Sequence, residues 1–192
     1  MPTEEIEDCE LIALFASGDS AAFETLYGRY RRQLYGYLCN MTGNCSEADE
    51  LFEETWLKVI DRLSCYRDHG KFSAWLFRLA RNLFIDRLRR NAKFNGAMRL
   101  DDENVPDLAG ADSYEPDRTL ANDELRAVID RAVAQLPADQ REVFLLRQQD
   151  ISFRDIAAMQ KCSINTALGR MQYALKNLRK TLENIDNGGL VK

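Results

Sequence analysis

The chain has 192 residues, 45% hydrophobic and 30% charged, with a formal net charge of −5. That is the composition of an ordinary globular protein of one or two small domains. No apolar run approaches the ~20 residues that span a bilayer. The opening MPTEEIEDCE is acidic where a secretory leader is basic then apolar, so a cytoplasmic protein is expected. Cys9, Cys39, Cys45, Cys65 and Cys162 are scattered and never spaced as CxxC. With the single His69 they make no zinc set and read as reduced thiols, mostly packed in helices.

In chain order, residues 8–18, DCELIALFASG, read as a short helix that Gly18 ends. Asp19 or Ser20 caps a longer one, in which Phe23, Leu26, Tyr27, Tyr30, Leu34, Tyr37, Leu38 and Met41 recur at helical spacing until Gly43. A third helix is expected from Ser46, where Ser46 and Asp49 resemble a capping box, to about Leu63. Its first two turns carry Asp49, Glu50, Glu53 and Glu54. Carboxylates near a helix N-terminus gain ~0.3–1 kcal/mol each from the macrodipole. This cluster exceeds that need, and a docking surface for a basic partner is the preferred reading.

After a loop broken by Gly70 comes Lys71 to Lys93, KFSAWLFRLARNLFIDRLRRNAK. On a helical wheel Leu76, Leu79, Ala80, Leu83 and Phe84 gather on one side as core. The other side carries Arg78, Arg81, Asn82 and Arg89 with Trp75 and Ile85 among them; Phe72 precedes the helix, and Arg90 and Lys93 close it. Arginines beside an exposed indole suit nucleic acid. Each guanidinium neutralises a phosphate and releases counterions, and each ring is a stacking surface worth ~1–3 kcal/mol per base. The plainer reading is that Trp75 folds onto a neighbouring helix and the arginines keep the surface hydrated.

From Phe94 to about Thr119 periodicity fails amid Gly, Pro, Asp and Asn, which predicts a flexible acidic linker between two domains. Beyond it, NDELRAVIDRAVAQL is amphipathic with Asn122 as its cap, and Pro137 opens ADQREVFLLRQQ. Ser152 caps FRDIAAMQ, a break falls at Lys161-Cys162, and Ser163 caps INTALGRMQYALKNLRKTL. Helix, tight break and capped helix with a basic outer face outline a helix-turn-helix. Ile164, Ala167, Met171, Ala174, Leu175 and Leu178 form its expected inner stripe. Asn165, Thr166, Gly169, Arg170, Gln172, Tyr173 and Lys176 are expected outside, and they are the residue types that read base edges and phosphates in the major groove.

The charge distribution agrees with this. Residues 101–124 hold nine acids against Arg118, whereas residues 78–93 and 141–180 are each net basic by five. Two basic patches are hidden inside an acidic total.

Both halves together resemble an extracytoplasmic-function (ECF) sigma factor of the sigma-70 family of bacterial transcription initiation factors. ELIALFASGDSAAFETLYGRYRRQLYGYL, SEADELFEETWLKVIDRL, FSAWLFRLARNLFIDRLRR and LPADQREVFLLRQQDISFRDIAAMQKCSINTALGRMQYALKNLRK carry the likeness over nearly the whole chain. It implies an all-α fold of two small helical domains, region 2 over 6–93 and region 4 over 120–183, joined by a linker over 94–119. It also implies no catalytic residues and no cofactor.

Residue by residue, Asp49, Glu50, Glu53 and Glu54 would meet the polymerase's beta-prime clamp helices, and the C-terminal domain its beta flap. The loop from Arg67 through Lys71 to Phe72 would capture a flipped base of the minus-ten element. Trp75, Arg78, Arg81, Asn82, Arg89 and Arg90 would hold the non-template strand. Arg154 and Lys161 would touch upstream phosphates; Asn165, Thr166, Gly169, Arg170 and Tyr173 would read the minus-thirty-five element, with Ser163 and Lys176 on the same surface. An anti-sigma factor is the further implied partner.

Two departures stand out: Glu53 where the family often has Gln, and Lys161-Cys162 where the turn usually has Gly then an aliphatic. The alternative reading is a helix-turn-helix regulator whose N-terminal half senses a ligand or dimerises. An enzyme using clustered carboxylates is a weaker rival, because no nucleophile constellation or phosphate loop is present.

Overall fold

The computed structural model describes residues 6–63, 65–66, 71–94 and 128–188, and every regular element among them is an α-helix. The expected linker over 94–119 and Asn122 fall almost entirely outside the described residues, as do Arg67 and His69. The N-terminal helices are α1 (Asp8–Ala16), α2 (Ser20–Thr42), α3 (Cys45–Leu63) and α4 (Phe72–Phe94). The C-terminal ones are α5 (128–134 within the described residues), α6 (Ala138–Arg147), α7 (Phe153–Met159) and α8 (Ile164–Gly188).

The local signals behave as capping chemistry requires. The Asp19 carboxylate accepts the Ala21 N–H at 2.9 Å to start α2. Gly43 ends α2 in the left-handed region at φ 66°, where a side chain would be strained. The expected cap of α3 is corrected. Asn44, not Ser46, accepts the Glu47 N–H on its side chain at 3.1 Å and the Ala48 N–H on its carbonyl at 3.0 Å. The helix thus begins at Cys45, and Ser46 lies inside its first turn.

Helices α1 to α4 form one bundle in which α2 packs on α1, α3 and α4. Leu51, Val59 and Leu63 of α3 meet Leu76, Phe77, Ala80, Leu83 and Phe84 of α4 in its core. Beneath it Trp56 is ringed by Phe23, Tyr27 and Phe52, with centroids 5.8, 4.8 and 6.3 Å away. Edge-to-face rings at such distances add ~0.5–1.5 kcal/mol per pair beyond the area they bury. In the C-terminal group α8 packs on α6 and α7 over Val143, Leu146, Ile156, Ala167 and Ala174.

The two groups touch through α2 and α6. Arg141 donates to the Asn40 carbonyl at 3.0 Å, and the Tyr37 hydroxyl reaches Glu142 at 3.3 Å. Arg81 of α4 closes on the same Glu142 at 2.7 Å.

Candidate nucleic-acid interface

The outer side of α4 is basic and partly aromatic. Arg78, Asn82, Arg89 and Arg90 are exposed, and Trp75 is half-buried. Arg89 and Arg90 turn back on Asp86, at 3.8 Å to its carboxylate and 3.4 Å to its carbonyl. Pairs this exposed cost little to break. The indole of Trp75 lies 4.8 Å from the Tyr66 ring and 5.6 Å from that of Phe72. It is tilted to them at 45° and 40° and packs partly against the core.

Two residues expected on this face are not on it. Phe72 does not precede α4 but opens it, and it is 2% exposed, set among Tyr30, Tyr66 and Trp75. A phenylalanine ending one turn before the core stripe gains more from these rings than from water. Arg81 is 8% exposed because α6 covers it, and its guanidinium pairs with the fully buried Glu142. Burial pulls the Arg81 pKa down, and the Glu142 carboxylate beside it more than restores it. A wheel drawn for α4 alone cannot show a helix arriving from elsewhere in the chain. Lys71 is exposed and pairs with Asp155 of α7 at 3.2 Å.

On α3 the acidic residues are not equivalent. Asp49 accepts the Tyr35 hydroxyl at 2.7 Å. Glu50 and Glu54 bind Arg87 of α4 at 2.8 and 3.4 Å, and Glu54 also meets Lys58 at 3.2 Å. These contacts account for part of the acid as bundle cement. Glu53 is exposed with no ion pair among the described residues. Beside it stand two residues that the sequence reading missed, Leu57 at 65% and Ile60 at 44% exposure. The signal was available: the core stripe Leu51, Thr55, Trp56, Val59, Leu63 leaves both outside it.

In the C-terminal group, Ser152 accepts the Asp155 N–H at 3.1 Å and Ser163 accepts the Thr166 N–H at 3.0 Å, so both helices of the helix-turn-helix start on hydroxyl caps. Lys161 turns the chain between them at φ 50°. Arg154, Lys161, Ser163, Asn165, Thr166, Gln172, Tyr173 and Lys176 are exposed, Tyr173 at 61%. A Cβ added at Gly169 would meet nothing within 4 Å, so that side of α8 is open.

Arg170 departs from expectation. Its guanidinium reaches Asp139 at 2.5 Å and the Gln160 side-chain carbonyl at 2.7 Å, pinning α8 to α6 and to the turn. Its six-atom reach lets it fold back where a shorter residue could not. Ile164 and Leu175, expected inside, are about half exposed. The short helices α6 and α7, which pack on α8, do not cover the whole apolar side of so long a helix.

A helical bundle with a basic, aromatic outer helix, beside a helix-turn-helix with an open polar face, defines a class of all-helical DNA-binding proteins. Comparison with known proteins narrows that class. Residues 26–94 match Sigma-70 region 2 and residues 126–178 match Sigma-70, region 4. The ECF RNA polymerase sigma factor SigM of Mycobacterium tuberculosis is 33% identical over 186 residues, covering 96% of this chain and 89% of the relative. The RNA polymerase sigma-H factor of Pseudomonas aeruginosa is 28% identical over 188 residues, 95% and 97% of the two chains. Among solved structures, CnrH in complex with the cytosolic domain of CnrY shares the fold at a TM-score of 0.62, with 23% identity over 92% of this chain and 97% of that one. RpoE in complex with the anti-sigma factor NepR from Bartonella quintana matches at 0.62, with 21% identity over 84% and 96%. The chain belongs to the ECF group of sigma-70 RNA polymerase sigma factors. A match to region 2 across residues 26–94 does not favour the alternative of a regulator with a sensor or dimerisation domain. No described helix is long and apolar enough to cross a membrane.

Proposed function

We propose that this sigma factor docks on core RNA polymerase through α3, binds the upstream promoter element through α8, and holds the downstream non-template strand on α4 as it unpairs. Region 2 spans residues 6–93 and region 4 residues 120–183. The observation that carries the reading is the outer side of α4, where exposed Arg78, Asn82, Arg89 and Arg90 adjoin a half-buried Trp75 backed by Tyr66. A hydrated surface has no need of an indole among arginines. An unstacked base gains stacking and phosphate contacts there, which offsets the few kcal/mol of flipping it out of the duplex.

Docking uses Glu53 with the apolar pair Leu57 and Ile60, a charged rim around an apolar centre. Glu50 and Asp49 extend the rim. Upstream reading belongs to Asn165, Thr166 and Tyr173, with Arg154, Lys161, Ser163 and Lys176 against the backbone and Gly169 allowing close approach. Arg170 supports this surface from behind. An anti-sigma factor is the inhibitor to expect, since the sigma factor RpoE, of like fold, was solved in complex with the anti-sigma factor NepR. The chain performs no chemistry of its own; the polymerase does.

The test is run-off transcription by core polymerase with this protein on a library of upstream DNA. Discrete start sites sharing two spaced elements are the expected result. Transcripts no different from core polymerase alone contradict it.

A further inference from the structure

The turn between α2 and α3 brings two thiols together. Cys39 lies in the last turn of α2, and Cys45 is the first residue of α3. Their spacing matches no familiar cysteine motif, yet the two side chains are in hydrogen-bond contact. They differ in access. Cys39 is 6% exposed, and burial, helped by the Cys45 sulfur beside it, pushes its thiol up to about 12. Cys45 is partly exposed. A sulfur within reach of solvent, touching a buried one, is arranged as an attacked thiol and the thiol that resolves it.

Resting on the docking role proposed above for α3, we infer that Cys39 and Cys45 form an oxidation site: a hydroperoxide converts them to a disulfide, and that bond weakens docking on core polymerase.

With hydrogen peroxide, the simplest such oxidant, the Cys45 thiol gives its proton to water and its sulfur attacks one peroxide oxygen. The O–O bond breaks, and the departing hydroxide takes up a proton and leaves as water. Cys45 then carries a sulfenic acid. The Cys39 sulfur attacks it, the S–S bond forms as the S–O bond breaks, and the Cys39 proton leaves with hydroxide as a second water. The sulfurs have given up two electrons and the peroxide has taken them. Contact between the pair favours closure over further oxidation of Cys45. A thiol reductant reverses the bond by exchange at the more accessible sulfur.

The surroundings carry the change to α3. The turn is fixed, because the Thr42 hydroxyl donates to the Leu38 carbonyl at 3.0 Å and accepts the Asn44 N–H at 3.2 Å. Closing the sulfurs from contact to a bond therefore draws the first turn of α3 toward α2. The Tyr35 hydroxyl touches Cys39 and donates to Asp49 at 2.7 Å. That hydrogen bond, more than burial, raises the phenol above its ordinary range, so it stays a donor. Asp49 stands one turn beyond Cys45 on the rim of the docking face, and a shift at Cys39 and Tyr35 displaces it.

Two measurements on the purified full chain test this. Cys39 and Cys45 fall in one tryptic peptide, residues 33–58. After hydrogen peroxide, mass spectrometry should show that peptide short of two hydrogens and closed to alkylation at both cysteines. Fluorescence anisotropy gives the affinity for core polymerase. The oxidised chain should bind roughly five-fold more weakly, on the scale of one lost hydrogen bond, and dithiothreitol should restore it. Cys45→Ser, treated alike and shown folded by circular dichroism, keeps Cys9 and Cys65 exposed to the oxidant and should bind as the untreated chain does. Cys45→Ala takes its place if serine disturbs α3. A peptide with both thiols intact, or with Cys45 oxidised and no bond formed, overturns the site. A bond that forms without changing affinity overturns its control of docking. Leu57→Asp in the same assay then separates the premises: lost binding leaves docking on α3 standing, and wild-type binding removes that as well.

Discussion

Arg81 has two uses that exclude each other in space. Paired with Glu142 it is buried and cements two helical groups; free, it is one more cation on the outer side of α4. Arg78, one turn earlier, has no such conflict because it is exposed. Arg78→Ala should weaken promoter binding by the holoenzyme about equally across sequences and lower the slope of log affinity against log salt by about 1. An unchanged slope would remove Arg78 from the phosphate contacts. Arg170 belongs to structure. Losing its charged hydrogen bonds to Asp139 and Gln160 should cost the C-terminal helices about 1–3 kcal/mol in chemical denaturation. Wild-type stability in Arg170→Ala would contradict that and return the residue to base reading. Both arginines sit on faces a wheel marks as polar, and the wheel could not separate them. What distinguished them was an ion pair with a carboxylate from a different helix, made by Arg170 with Asp139.

At the scale of elements, α7, the turn and α8 form a motif whose weakest backbone point is Lys161. Its φ of 50° is the left-handed region, where glycine sits without strain and a lysine costs roughly 1 kcal/mol. Lys161→Gly should therefore raise the melting temperature of the C-terminal helices while weakening upstream DNA binding, because the same change removes a cation. A variant that gains neither stability nor loses affinity would show the lysine to be neither strained nor in contact with DNA. On α3 the argument concerns apolar side chains. Leu57→Asp should abolish co-purification with core polymerase and leave the fold intact, since Leu57 is 65% exposed and outside the buried core. Co-elution at wild-type level would move the docking surface elsewhere. The existence of α1 to α4 and α6 to α8 was legible from periodicity and from Asp19, Gly43, Ser152 and Ser163, because caps and apolar spacing are local. The start of α3 was not, since Asn44 and Ser46 offer the same chemistry and only backbone geometry chose between them.

For the molecule as a whole, the family and its two regions followed from motifs spread along the chain, but the way α6 lies against α2 and α4 did not. That contact joins residues about a hundred positions apart through Tyr37 and Glu142, and no local pattern encodes it. It hides Arg81 while leaving Arg78 and Asn82 exposed and Trp75 half-buried, a smaller basic surface than the sequence suggested. The direct test is permanganate reactivity of promoter thymines in complexes of core polymerase with wild-type protein and with Trp75→Ala. The account predicts equal binding of the two proteins to core polymerase and a strong loss of thymine reactivity in the variant. Reactivity at the wild-type level would contradict it.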